Sequence, residues 1–176
     1  MSHDEHATPT TDTEAQLRLW DLIKDIRFAM FTSRHAANGH LHSRPMTTQN
    51  TQVDEDASLW FFMARHGDTV ADIVSDPAVN VVYADAGADR YVSVSGTAEL
   101  VDDAARKQLL WTASAADWFP GGASDPELAL VQVRILHATY WANDTSKITQ
   151  LLHNAAAAVT GKSTPALGEH ATVRLG

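Results

Sequence analysis

The chain contains no cysteine. Disulfides, thiolate nucleophiles and cysteine metal sites are therefore excluded, and the composition fits a reducing compartment. Positive charge is scarce: 13 Lys and Arg stand against 22 Asp and Glu, a formal net charge of −9. That balance argues against broad nucleic-acid binding, which needs a cationic surface. A small molecule bearing a phosphate needs only a few clustered arginines and stays open. No apolar run approaches membrane-spanning length, so no membrane association is expected. The opening Met1-Ser2-His3-Asp4-Glu5-His6 is polar and acidic, unlike a secretory signal. A cytoplasmic protein is the expectation. Also missing are a Gly-rich phosphate loop, a Gly-x-Ser-x-Gly elbow, a His-Glu-x-x-His motif and a recognisable catalytic triad.

What is present is an ordinary globular pattern, 44% hydrophobic over 176 residues, long enough for one domain with a sizeable core. Residues 1–12 are rich in Thr, His and acids and are expected to be disordered, leaving 13–176 as the domain. Thr13 and Gln16 suit a capping box, and Leu19, Leu22, Ile23 and Ile26 then recur at helical spacing. Residues 28–33 read as a strand, Asn38-Gly39 as a hairpin turn and 41–48 as the returning strand. Pro45 marks that strand as an edge or a bulge, because proline cannot donate to the ladder.

Residues 58–63 read as a third strand, 69–75 as a short helix capped by Asp68 and ended by Asp76-Pro77, and 78–84 as a fourth strand. In the fifth, 90–101, Val92, Val94, Ala98 and Leu100 alternate with Tyr91, Ser93, Ser95, Thr97 and Glu99. Gly96 falls on the apolar side, which points to a bulge or a close backbone approach. Asp102-Asp103 caps a helix reaching Trp111, and 114–124 is a loop. Residues 128–136 form a sixth strand with 138–141 pairing nearby, 147–160 an alanine-rich helix ended by Gly161, and the last residues a tail. Six strands with interspersed helices predict a small antiparallel barrel of α+β class.

Few residues suggest chemistry. Arg44, on a rigid strand, suits charge-assisted bonds to a phosphate or carboxylate, with a surface ion pair as the plain alternative. Arg65 and His66 follow the third strand and are candidates for the same cluster. His40 and His42 share a strand face, yet no third ligand follows at a telling spacing, so no metal site is expected. Trp20, Trp60, Trp111 and Trp141 each suit packing. Trp118 differs: a Trp-Phe-Pro-Gly-Gly loop is costly to expose and should cover its own barrel, a partner subunit or a flat ligand. A chain without its own nucleophile or metal can still do redox work through a cofactor.

Several segments in order carry a family likeness: Arg44-Pro45-Met46-Thr47, Leu59-Trp60-Phe61-Phe62, Val79-Asn80-Val81-Val82-Tyr83-Ala84-Asp85, the strand from Arg90, Trp118-Phe119-Pro120 and Tyr140-Trp141. Gly161-Lys162 and Gly168-Glu169-His170 fit as well. From about Leu17 to Leu175 the chain resembles the FMN-binding split barrels related to pyridoxamine 5′-phosphate oxidase, above all their general stress protein 26 group. The resemblance implies a six-stranded antiparallel split β-barrel with flanking helices, and a homodimer with FMN at the subunit interface. By position, Arg44 would bind the FMN phosphate. Met46 and Thr47 would line the isoalloxazine ring, with Pro45 shaping the strand, and Phe62 and Met63 would sit beside it. Tyr91 and Trp141 fall where relatives place a glutamine and a tryptophan near the flavin, and Trp118 on the interface loop.

One departure stands out. Where relatives carry a phosphate-binding lysine, this chain has Thr69, next to Asp68; Arg65 is then a candidate to compensate. The region Asn143-Asp144-Thr145-Ser146-Lys147 holds a single cation where the oxidases use an Arg-x-His type motif. Pyridoxal phosphate synthesis is therefore not expected. The implied function is a flavin-dependent oxidoreductase of unknown substrate or, alternatively, a non-catalytic flavin-binding or storage protein in stress response. No catalytic residue is identifiable.

Overall fold

The computed structural model describes residues 12–54, 56–142 and 169–174. Helix α1 (Asp12–Ile23) buries Ala15, Leu19, Leu22 and Ile23 on one face, the stripe its spacing predicts. It begins one residue before the expected Thr13 cap, a shift within the usual fraying of helix ends. Strands β1 (Ala29–Arg34) and β2 (Leu41–Met46) form an antiparallel hairpin that pairs Phe31 with Arg44 and Met30 with Pro45. Gly39 takes a φ of +71° in the turn, a left-handed conformation that glycine adopts without strain.

Next come β3 (Ser58–Ala64), α2 (Asp68–Ser75), β4 (Ala78–Asp85), β5 (Arg90–Val101), α3 (Ala104–Leu110), β6 (Leu128–Ala142) and β7 (Glu169–Arg174). The strand order is β2-β1-β4-β5-β6-β3, with β7 paired to β6. Pro45 thus lies on an edge strand, where its missing N–H costs no ladder bond. The two edges approach each other just past β2. Thr48 bridges Phe61, and Gln49 N–H donates to the Trp60 carbonyl at 2.8 Å. That contact bends the sheet into a split barrel of six antiparallel strands, with α1 and α2 packed against it.

Strand β3 is buried on both faces, which explains its unbroken apolar run. Leu59, Phe61 and Met63 enter the barrel core with Phe31, Val81, Val92, Val94 and Val131. Trp60 and Phe62 point the other way, into a smaller cluster with Leu110, Ala115, Phe119, Leu128 and Leu130. Tyr83 fills the barrel and shares a 2.6 Å hydrogen bond with the Thr48 hydroxyl, and burial pushes its phenol pKa up.

Several expectations need correction. Asp68 is the first residue of α2, not its cap; Gly67 holds the cap position and offers no side-chain bond. Asp103 does cap α3, accepting from Arg106 N–H at 2.8 Å. The segment 114–124 is not plain loop, for it contains 3₁₀ turns at Ala113–Asp117 and Gly122–Ser124. Residues 128–141 are not a strand and a separate pairing segment; β6 is one strand. Its register against β5 slips between Ser95 and Gly96, leaving Leu136 as the extra residue. Inward residues run Val131, Val133, Ile135 before the slip and Ala138, Tyr140, Ala142 after it. The change of parity makes the sequence look interrupted. At Gly96 a Cβ would collide with the Arg134 carbonyl and lie 2.9 Å from Val133 Cγ1. The expected tail includes β7, a strand set by pairing to β6 rather than by an apolar pattern of its own. The expected disordered segment 1–12 lies outside the described residues except for Asp12, which begins α1; helix 147–160 and the stretch Asn143–Lys147 lie outside them as well.

Candidate functional site

The edge strand β2 alternates its side chains, so His42, Arg44 and Met46 share one face. On that face Arg44 reaches the start of α2. Its Nη1 donates to the Thr69 hydroxyl, and its Nη2 lies 3.4 Å from Asp72 Oδ2. Asp72 is a buried hub, with 1% of its side chain exposed. It also accepts from the Ser33 hydroxyl at 2.8 Å and from Ala36 N–H at 2.9 Å, and His35 Nδ1 stands 3.7 Å away. Burial opposes ionisation of this carboxyl. The Ala36 and Ser33 bonds and the charges of His35 and Arg44 outweigh burial and hold the pKa below the usual carboxylate value. Asp72 is therefore a carboxylate at neutral pH, and Arg44 is already ion-paired.

Beside Arg44 along the strand opens a cavity of about 340 Å³. Pro45, Met46 and Thr47 form one wall, and Phe62, Met63 and Ala64 of β3 another. The 3₁₀ segment closes a third side with Ser114, Ala115, Trp118 and Phe119, and Phe28, Arg27 and Gln49 complete the rim. Trp118 is 81% exposed at the mouth, whereas Phe119 turns inward to the smaller core cluster. The Trp-Phe pair is thus split between lip and anchor. Arg27 is the only charged residue among the described lining residues, with its guanidinium 4.9 Å from the Phe28 ring centre. Among the described residues neither carboxylate nor imidazole lines the cavity. A second cavity of about 320 Å³ lies behind Thr47, between the end of α1 and residues Thr48 and Asn50, and shares Arg27 and Thr47 with the first.

Of the residues singled out from sequence, Pro45, Met46, Thr47, Phe62, Met63 and Trp118 converge on the first cavity. Arg44 and Thr69 touch each other next to it. Arg65 is not drawn into this group: its Nε donates to the Pro126 carbonyl at 3.0 Å and its Nη2 to the Leu128 carbonyl at 3.4 Å. Tyr91 and Trp141 face each other across β5 and β6, 39% and 46% exposed, and neither lines this cavity. His42 stacks edge-on against His35, ring centres 4.6 Å apart. Among the described residues no group of three or more His, Cys, Asp or Glu side chains is placed to hold a metal. Nor is any helix there long and apolar enough to cross a membrane.

Sequence reasoning missed Asp72, Arg27, Phe28 and Gln49. A signal for Asp72 was available: it stands three residues after Thr69, hence on the same helix face, between the apolar Val70 and Ile73. Arg27 sits in a connection and gave no periodic signal, and Phe28, expected as the first residue of a strand, lies just before β1.

Residues 14–165 match the family described as pyridoxamine 5′-phosphate oxidase like. Protein bli-3 of Neurospora crassa is 26% identical over 172 residues, 90% of this chain and 82% of that protein. A crystal structure described as a general stress protein 26 from Jannaschia sp. CCS1 superposes with a TM-score of 0.74 at 26% identity, covering 92% of this chain and 99% of that one. The general stress FMN/FAD binding protein of Xanthomonas citri gives a TM-score of 0.63 at 31% identity, covering 76% of this chain and 92% of that one. The chain belongs to the pyridoxamine 5′-phosphate oxidase-like family, and its fold is that of the general stress protein 26 structures.

Proposed function

We propose that this member of the pyridoxamine 5′-phosphate oxidase-like family is an FMN-binding flavoprotein that acts as a homodimer in the cytoplasm. The observation that carries the reading is the convergence of Met46, Thr47, Phe62, Met63 and Trp118 on one apolar cavity directly beside Arg44. The flat ring of a flavin suits such a slot, because aromatic and thioether side chains supply apolar contact and stacking. Arg44 and the Thr69 hydroxyl would donate to the phosphate, and Thr47 and Gln49 would meet the polar edge of the ring. The relative from Xanthomonas citri, described as FMN/FAD binding, supports the same choice of cofactor.

The dimer accounts for Tyr91 and Trp141. They form a cross-strand pair away from their own cavity, beside the uncharged Met30, Thr32, Asn80, Val82, Ser93 and Ser95, on a sheet face that also carries Arg34 and the Glu99–Arg134 ion pair. An uncharged patch on so acidic a chain suits a second copy, whose cavity this aromatic pair would complete.

A bound flavin would supply the electron-transfer chemistry. The protein's part would be binding, orientation and exclusion of water by Trp118 and Phe28. With no acid or base among the described lining residues, the reading is an oxidoreductase whose chemistry rests with the cofactor. The same absence favours a second reading, a protein that holds flavin without turnover.

The first test is the visible spectrum of purified protein after addition of FMN and desalting. Retained flavin absorbance supports the site, and a colourless protein contradicts it. Steady-state oxidation of a reduced nicotinamide by the loaded protein then separates the readings: turnover supports the oxidoreductase, and none supports storage.

A further inference from the structure

A phosphate dianion is held by surplus positive charge. At the α2 end of the site the described residues provide none. Arg44 is ion-paired with Asp72 at 3.4 Å, and Asp72 is fixed in place by Ser33 and Ala36. Thr69, 8% exposed, brings a hydroxyl and no charge. Asp68, in the first turn of α2, adds a negative charge where the helix dipole would otherwise help an anion. The neighbouring cations are committed elsewhere: Arg34 pairs with Asp76 at 3.3 Å, and Arg65 serves the Pro126 and Leu128 carbonyls. His35 faces Asp72 at 3.7 Å with His42 stacked on it at 4.6 Å, and these two imidazoles are further groups there able to carry positive charge. The ring end is the reverse, an apolar cavity with Phe28, Phe62, Phe119 and Trp118 around it and Arg27 as its only charge. Affinity should therefore come from the ring.

We propose that this site recognises flavin by its isoalloxazine ring and gains little from the phosphate, so that uncharged riboflavin is bound nearly as well as FMN. The inference rests on the flavoprotein reading above. Arg44 still donates to a phosphate, but each favourable contact is offset by the buried Asp72 carboxylate behind it. A phosphate-anchored site would instead favour FMN by about tenfold to 100-fold, the scale of hydrogen bonds to a charged group.

The test is a pair of dissociation constants, for riboflavin and for FMN, measured on the full chain by quenching of flavin fluorescence. Both constants are measured in the same buffer at one pH. The expected result is two constants within about threefold of each other. Thr69→Lys, which adds a cation beside Arg44, should then tighten FMN by about tenfold and leave riboflavin unchanged. FMN bound more than about tenfold tighter than riboflavin by the unaltered chain would overturn the inference and leave the flavoprotein reading standing. A smaller FMN preference that vanishes in Arg27→Gln would also overturn it, by placing the phosphate at the other end of the cavity. Failure of both flavins to bind would sink both proposals. A Thr69→Lys protein with no gained preference would remove the phosphate from the α2 end.

Discussion

Arg44 on the edge strand and Asp72 on α2 form an ion pair at 3.4 Å around which Ser33, Ala36, His35 and Thr69 are arranged. The pair ties β2 to the helix. Arg44 thus has a structural duty that a strand arginine read from sequence does not reveal. Arg44→Ala should leave Asp72 buried with less compensation and destabilise the fold by about 1–3 kcal/mol. Urea unfolding checks this. An unchanged midpoint would mean that the pair contributes nothing.

Asp72 also predicts an acid-sensitive step. Folding lowers its pKa, so the unfolded chain takes up the proton first as pH falls. The contribution of Asp72 is fully present above about pH 4 and is lost as pH drops through the folded value. Asp72→Asn should flatten the acid limb of a stability-versus-pH curve. An unaltered limb would show that other carboxylates set it.

Gly96 tests the bulge. Its buried backbone sits against Arg134 and Val133, with no room for a methyl group. Gly96→Ala should cost about 1–3 kcal/mol, seen as a lower melting temperature, because β6 must move to admit it. A neutral substitution would contradict the register slip at this position.

Trp118 separates binding from stability. At 81% exposure its removal should change stability by less than about 0.5 kcal/mol. Loss of a stacking surface at the cavity mouth should weaken flavin binding by roughly twofold to tenfold. A fluorescence titration of Trp118→Ala reads this directly, and unchanged affinity would place the ligand elsewhere. Phe62 is a poorer probe, since its burial in the smaller core cluster ties any truncation to folding.

Tyr91 tests the subunit contact. Tyr91→Glu would set a charge in the uncharged patch of the sheet around Ser93 and Val82 and, in a dimer through this face, repeat it across a two-fold axis. Sedimentation should show a shift toward monomer with the circular dichroism of the fold retained. A persistent dimer would move the interface to another face.

Much of the strand order and the cavity was legible because it depends on local signals. Pro45 pointed to an edge or a bulge, Asn38-Gly39 to a hairpin, Gly96 to a bulge or a close backbone approach, and residues 58–63 to a strand. Family resemblance then pointed to the cavity wall along β2 and β3. What stayed hidden depends on contacts distant in sequence. The parity change at Leu136 is set by Gly96 on the neighbouring strand. Arg65 is claimed by carbonyls more than sixty positions away. Asp72 reads as a surface acid of a short helix until the β1–β2 hairpin closes over it.

The most direct test of the central claim is size-exclusion chromatography of FMN-loaded protein, with light scattering and visible absorbance recorded on the same peak. A flavin site completed by a second copy predicts a coloured peak at about twice the 19.1 kDa of one chain. Flavin should be retained in proportion to protomers. A coloured peak at the mass of one chain, or a colourless peak at any mass, would contradict it.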